Sequence, residues 1–209
     1  MRLANIIRMA SNKPFLERYG PYINGKLRGG VGDLTVRDPA TNDAVTVVEE
    51  SGEERVDEAI ESCEAARDDW EEIEGVERGR ILYSIAEAIR DDQERLARLE
   101  TFENGRPISA SKKRVETAAR YFEYFAGLAD KVEGKSIPID GGRLDYTVRE
   151  PYGVTAQIIP WNSSLLLGAR GLAPSLACGN TIVAKVDPQT PASVIEFARL
   201  ANDAGLPDG

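Results

Sequence analysis

The chain has 209 residues, 42% hydrophobic and 29% charged, enough for one domain with a sizeable core or one and a fraction. Its net charge of -9, with nineteen arginines to seven lysines, argues against nucleic acid or an anionic membrane as partner. An acidic, lysine-poor surface also suits a salt-adapted protein. It has no histidine, which excludes every Ser-His-Asp, Cys-His or His-metal mechanism within this polypeptide. Its two cysteines, Cys63 and Cys178, give neither a disulfide framework nor metal-ligand spacing, so no metal site is expected. No apolar run is long enough to span a membrane. The start, Met1 to Arg8, is too short and interrupted for a secretory signal. These features together point to a cytoplasmic protein.

In chain order, Tyr19 to Glu50 reads as short strands and turns. Val45, Val47 and Val48 are β-branched, and Asn24-Gly25, Gly29-Gly30 and Asp38-Pro39 are turn signals. A helix is expected over about Glu53 to Trp70, with Val56, Ala59, Ile60, Cys63 and Ala66 on one face. A second runs about Val76 to Asp91, with Ile81, Leu82, Ile85, Ala86 and Ile89 inward. After a break near Asp91-Asp92, a further set of turns carries Leu96, Leu99 and Phe102 and ends at Gly105 and Pro107. A long helix is expected from about Ser109 to Glu133, with Val115, Ala119, Phe122, Phe125 and Leu128 buried. Gly134 to Gly142 reads as a linker, and Arg143 to Glu150 alternates like a half-exposed strand.

From Pro151 the pattern is β-α-β-α. Val154 to Ile159 and Thr181 to Ala184 read as buried parallel strands, joined by a helix of about Ser164 to Ala177. The last helix has Thr190 as its expected N-cap, Pro191 at its first position and Gly205 at its end. Ligands of parallel sheets bind outside the carboxyl ends of the strands. Asn162 and Lys185 each lie just past such an end, so both are expected to face one crevice. Asn162 could cap the helix behind it, or donate an N–H to a developing oxyanion beside that helix's positive end. Lys185 could be a solvated surface residue, or a cation within reach of a nucleotide.

Ile158-Ile159-Pro160-Trp161-Asn162, Ala173-Pro174, Gly179-Asn180-Thr181 and Lys185 together resemble the aldehyde dehydrogenase superfamily. Further match points are Tyr22-Ile23-Asn24-Gly25, Asp38-Pro39-Ala40-Thr41, Glu103-Asn104-Gly105-Arg106-Pro107 and Gln189-Thr190-Pro191. The resemblance runs from about Tyr22 to Gly209. It implies an α/β fold, with N-terminal helices packed on a parallel-sheet nucleotide-binding domain and a β arm. Residues 1–133 would be the first part of that domain, 134–150 the linker and oligomerisation-arm strand, and 151–209 its βαβα segment.

The resemblance implies NAD(P)-dependent oxidation of an aldehyde to a carboxylic acid, with NAD or NADP as cofactor. Asn162 matches the family's oxyanion donor, and Lys185 the lysine that holds the adenosine ribose. Ile158, Pro160 and Trp161 match positions whose backbone lines the cofactor cleft; packing of the turn is their other reading. Where the family commonly places a ribose-binding glutamate, this chain has Pro188 beside Asp187, which leaves NAD against NADP open. Ser163 and Ser164 stand where a bulky apolar residue and a proline are common, a hint of a larger or more polar aldehyde. Arg170 and Gly171 replace a frequent Trp-Lys pair, and either alter the aldehyde tunnel or only follow the helix surface.

Family members run to more than twice this length, and their nucleophilic cysteine and general-base glutamate lie beyond the residues present here. The chain alone is therefore expected to be inactive. The alternative is a non-catalytic remnant that binds nucleotide weakly or associates with a full-length relative. Homo-oligomers, or pairing with such a relative, would form through the arm. Cys178 is read as a small buried hydrophobe. Cys63 sits among Glu61, Glu64 and Arg67 on a helix, and the carboxylates are expected to raise its thiol pKa, so neither cysteine is the nucleophile. Lys112-Lys113-Arg114 reads as a solvated face rather than a nucleic-acid patch. Gly29-Gly30-Val31-Gly32 lacks the following Lys-Ser/Thr of a phosphate loop.

Overall fold

The computed structural model describes residues 14–209, so the segment Met1 to Arg8 lies outside the described residues. Five short strands come first: β1 (Arg18–Tyr19), β2 (Tyr22–Ile23), β3 (Lys26–Leu27), β4 (Asp33–Arg37) and β5 (Ala44–Glu49). β5 lies between parallel β1 and antiparallel β4. β2 and β3 form a hairpin whose two loop residues, Asn24 (φ 50°) and Gly25 (φ 70°), both have positive φ. That is the pair of conformations a two-residue turn needs to match strand twist, and Asn-Gly adopts it most cheaply.

Four helices follow: α1 (Gly52–Glu72), α2 (Gly75–Asp91), α3 (Gln93–Asn104) and α4 (Ile108–Ala126). Next come β6 (Ser136–Ile137) and β7 (Asp145–Tyr146), paired antiparallel. The chain then runs β8 (Val154–Ile158), a 3-10 turn (Trp161–Ser163), α5 (Ser164–Ala177), β9 (Thr181–Lys185) and α6 (Ala192–Asp203). β8 and β9 are parallel, in register from Val154↔Thr181 to Ile158↔Lys185. Among the described residues no helix is long and apolar enough to cross a membrane.

The main core lies among α2, α3, α4, α5 and α6. Leu82, Ile85 and Ile89 meet Leu96 and Leu99, Val115, Ala119 and Phe122, then Leu165, Ala173 and Phe197. Each large aliphatic side chain buried there is worth about 1.5–3 kcal/mol against exposure. Phe122 and Phe197 add a tilted ring pair with centroids 5.4 Å apart. Trp70 is buried beneath this core, where its indole N–H donates to the carbonyl of Leu176 (3.2 Å).

Three expectations need correction. α4 stops at Ala126, not Glu133, because Gly127 follows and Leu128 to Lys131 close i→i+3 turns instead. Glycine costs about 1 kcal/mol in a helix interior, and i→i+3 bonds tighten a helix end. Of the stripe read along this helix, Val115, Ala119 and Phe122 are buried, whereas Leu128 is exposed. On α1 only Cys63 and Trp70 are buried, while Val56 and Ile60 remain exposed. β8 is parallel to β9 as expected but is not buried: Ala156 and Ile158 are exposed on an open two-stranded sheet.

Candidate functional site

The site is built at the carboxyl end of β8. The N–H of Ile159 donates to the carbonyl of Lys185 (2.9 Å), the last rung between the two strands. Ile159 is buried, and the chain then turns out through Pro160 into the 3-10 turn that carries Asn162. Trp161, Asn162 and Lys185 are exposed, and Ile158 is 79% exposed at the end of its strand. The structure therefore brings Ile158, Pro160, Trp161, Asn162 and Lys185 to one end of the β8–β9 pair, which the strand pattern predicts for Asn162 and Lys185.

The backbone of the turn is tied down from several directions. The carbonyl of Trp161 accepts from Asn104 Nδ2 (2.9 Å) and from Thr190 Oγ1 (3.3 Å). The carbonyl of Asn162 accepts from Arg106 Nη2 (2.5 Å). Ser163 Oγ accepts from Arg106 Nη1 (3.0 Å) and also from Arg114 Nη1. The carboxamide of Asn162, by contrast, makes no hydrogen bond among the described residues, and it does not cap α5. The backbone is held and the side chain is left available. That combination suits a preorganised donor, whose reorganisation cost is met on folding and not on reaction.

Two buried carboxyls on α3 complete the frame. Glu100 Oε1 accepts from the N–H of Leu165 in the first turn of α5 (3.2 Å), and its Oε2 is buried without a hydrogen-bond partner among the described residues. Burial pushes its pKa up, against weaker opposing effects of that N–H and of Arg106 and Arg114. Glu103 accepts from the N–H groups of Ala192 (2.6 Å) and Ser193 (3.0 Å), and so caps α6. Burial pushes Glu103 up to about 7, despite those two bonds. Thr190 is therefore not the N-cap. Its hydroxyl is engaged with Ser164 Oγ and the carbonyl of Trp161, which joins the start of α6 to the Asn162 turn.

These supporting residues escaped the sequence reading. Glu103 and Arg106 lie in a quoted motif, but nothing local announces what they hold. Arg114 belongs to a run read as a solvated face. Lys112 does meet Glu94 on the surface (2.5 Å), whereas Arg114 reaches inward to Ser163. Asn180 also has a structural role. Its buried Oδ1 accepts from the N–H groups of Tyr152 (2.6 Å) and Gly153 (3.1 Å), and its Nδ2 donates to Ser175 (3.1 Å). It thus ties the entry of β8 to the end of α5.

Neither cysteine lies at this end of the sheet. Cys63 is buried, and its carbonyl accepts from the hydroxyl of Thr181, the first residue of β9. Its thiol pKa is raised, and burial rather than a neighbouring carboxylate is the cause. Cys178 is exposed, not buried, because it follows the last turn of α5 at the protein surface. The 14 residues of α5 separate it from Asn162 by about 20 Å. Among the described residues no three His, Cys, Asp or Glu side chains are grouped to hold a metal. Asp187, beside the residue that replaces the common glutamate, uses its carboxylate to accept from the N–H of Gln189 (2.9 Å) within its own loop.

Comparison with known proteins agrees with this fold. The sequence profile of the Aldehyde dehydrogenase family matches residues 28–209. A (Z)-2-((N-methylformamido)methylene)-5-hydroxybutyrolactone dehydrogenase of Acinetobacter baylyi is 38% identical over 197 residues, covering 93% of this chain and 40% of that protein. The mitochondrial aldehyde dehydrogenase of Rattus norvegicus is 40% identical over 194 residues, covering 90% of this chain and 37% of its own length. Among solved structures, PnpE in complex with nicotinamide adenine dinucleotide superposes with a TM-score of 0.89 at 37% identity, over 92% of this chain and 40% of that one. The chain thus spans about 40% of the relatives it matches. A match that takes in every element from β4 to α6 places this chain in the aldehyde dehydrogenase family.

Proposed function

We propose that this chain supplies the cofactor cleft and oxyanion donor of an NAD(P)-dependent aldehyde dehydrogenase that oxidises an aldehyde to a carboxylic acid. The observation that carries the reading is the Asn162 turn: a tethered backbone and an unengaged carboxamide at the mouth of parallel strands. The residues present fit a dinucleotide. Lys185 makes no ion pair among the described residues, and the exposed side chains of Ile158 and Trp161 give apolar walls beside it. Backbone at Ile158, Pro160 and Trp161 would line the cofactor, and Lys185 would meet its ribose. The bound cofactor supplies the electron acceptor. Asn162 donates its N–H to the carbonyl oxygen as negative charge builds there, beside the positive end of α5. Pro188 and the loop-bound Asp187 leave no carboxylate committed to exclude a 2′-phosphate, which favours tolerance of NADP as well as NAD.

The attacking thiolate and the base are not assigned to residues of this chain, since Cys63 is buried and Cys178 lies at the far end of α5. Turnover by the 209 residues alone is accordingly not expected. Residues 134–150 would serve as the linker and arm through which copies or a full-length relative associate. Leu144, Tyr146 and Val148 are exposed there. Residues 1–133 and 151–209 would form the two parts of the nucleotide-binding domain, in the cytoplasm.

Cofactor titration of the chain tests the division of roles. Lys185→Ala removes a charge-assisted contact worth about 1.5–3 kcal/mol, a loss of affinity for NAD or NADP of about 10- to 150-fold. Asn162→Ala should leave that affinity and the fold unchanged. In a full-length enzyme it should slow the chemical step by about 10²–10³. Equal effects of the two substitutions on cofactor binding would contradict the assignment.

A further inference from the structure

We infer that Arg106, Arg114 and Ser163 form a subsite for an anionic group, and that the aldehyde accepted here carries a carboxylate a few bonds from its carbonyl carbon. The inference rests on the reading of Asn162 as the oxyanion donor. Its basis is the meeting of two arginines at one neutral acceptor. Arg18, Arg28, Arg55, Arg90 and Arg95 each meet a carboxylate. Arg106 and Arg114 meet none within ion-pair distance among the described residues, yet both donate to the same hydroxyl, Ser163 Oγ. Two guanidinium groups sharing one neutral acceptor hold their charges within about 6 Å of each other, the sum of two hydrogen bonds. They repel, and the pKa of Arg106 is lowered, first by burial and then by the charge of Arg114. Glu100 is the carboxyl that attracts both, but it is buried, holds the N–H of Leu165 and has its own ionisation disfavoured. The pair is therefore short of negative charge.

The donor set suits a carboxylate. Ser163 Oγ has two lone pairs, and both are occupied by guanidinium N–H groups, so its proton is left to donate. Arg114 commits one of its five N–H groups, and a guanidinium presents the rest in a planar fork that matches a carboxylate. The positive end of α5 lies at the same point and adds to the attraction. Arg106 and Arg114 are half-exposed, so the pair can be reached from solvent. Distance limits the size of the substrate. Arg106 holds both the carbonyl of Asn162 and the hydroxyl of Ser163, and successive Cα atoms are about 3.8 Å apart. An anion at the pair lies beside the residue that follows Asn162, and with Asn162 as the oxyanion donor this describes a short ω-oxo acid. The nucleotide's cation, Lys185, reaches the cleft from β9, whereas the arginines reach it from α4 and the α3–α4 junction.

Nuclear magnetic resonance titration of the 209-residue chain with succinate tests this, with succinamide, inorganic phosphate and NAD as the other arms. Saturable shifts are expected with succinate at the amides of Asn162 and Ser163 and at the side chains of Arg106 and Arg114. Succinamide should produce none. Arg114→Gln should weaken succinate at least tenfold, and Arg114→Lys should recover most of that loss. The same amides in the ligand-free variants show whether the turn is intact, and Arg106→Gln provides a second route if it is not. Succinate shifts that do not saturate, or that survive both Gln substitutions, would overturn the subsite. Equal or stronger saturation by inorganic phosphate at the same residues would overturn the substrate carboxylate in favour of a cofactor phosphate. If NAD moves the amide of Lys185 while succinate leaves the turn unmoved, the subsite fails and the cofactor reading stands. If succinate binds at the pair and NAD does not bind, the subsite stands and the cofactor reading fails.

Discussion

Glu103→Gln should change the pH dependence of stability in a defined direction. In the folded chain the carboxyl of Glu103 is buried at the start of α6, and its pKa rises from 4.5 to about 7. Burial raises it most, the neighbouring Glu100 raises it further, and the bonds from Ala192 and Ser193 only partly oppose them. The unfolded chain ionises near 4.5. Below that pH both states hold the proton, and the contribution of the neutral carboxyl is fully present. Between 4.5 and 7 the unfolded state releases its proton first, so stability falls as pH rises; above 7 the loss is complete. The shift of about 2.5 pH units corresponds to roughly 3 kcal/mol, most of it between pH 5 and 8. Glutamine cannot ionise. Its oxygen keeps one of the two capping bonds, and the orphaned N–H costs about 1–3 kcal/mol at every pH. Wild type should therefore be the more stable protein at pH 5, and that advantage should shrink or reverse by pH 8. For a domain of this size the difference in melting temperature should change by roughly 5–10 °C. Paired thermal unfolding of both proteins at pH 5, 6, 7 and 8 is the assay, and the difference removes most other titrations. Glu100 is coupled to Glu103, so the Glu100→Gln background should be run alongside. A difference between wild type and variant that stays constant from pH 5 to 8 would refute the reasoning.

Two further outcomes follow from the same frame. Asn180→Ala strands the N–H groups of Tyr152 and Gly153 at the entry to β8, and should cost about 2–4 kcal/mol in denaturant unfolding; a loss under about 0.5 kcal/mol would show that the strand entry is held otherwise. A thiol reagent should modify Cys178 promptly in the native chain and Cys63 only on unfolding, because burial both shields Cys63 and raises its pKa; fast reaction of both would contradict the placement of α1 against β9.

What could be read from sequence is what adjacent residues decide. The inward residues of α2 follow from their 3.6-residue spacing, and α3 ends at Gly105 because that residue takes the left-handed conformation (φ 72°) that glycine accepts without strain. The parallel pairing of β8 and β9 follows from the helix between them. A stripe, however, shows which face of a helix is apolar and not what covers it, and so Val56 and Ile60 were expected inside but lie in solvent. Long-range partners were invisible for the same reason. A Thr-Pro pair is a good local reason to place a cap at Thr190, but a carboxylate 89 residues away in the chain reaches the same N–H groups, and burial holds it there. The site divides along this line. Asn162 is legible because strand, turn and helix come in sequence around it. Its anchors are not: Arg114 is 49 residues from Ser163, and Glu100 is 65 from Leu165. A solvent-facing arginine and one that fixes a functional turn look the same in a Lys-Lys-Arg run, since only the packing of α4 against α5 decides which way Arg114 points. The residue proposed to meet the substrate is therefore the easier one to find from sequence, and the residues that hold its turn, and on our inference set a preference for charge, require the fold.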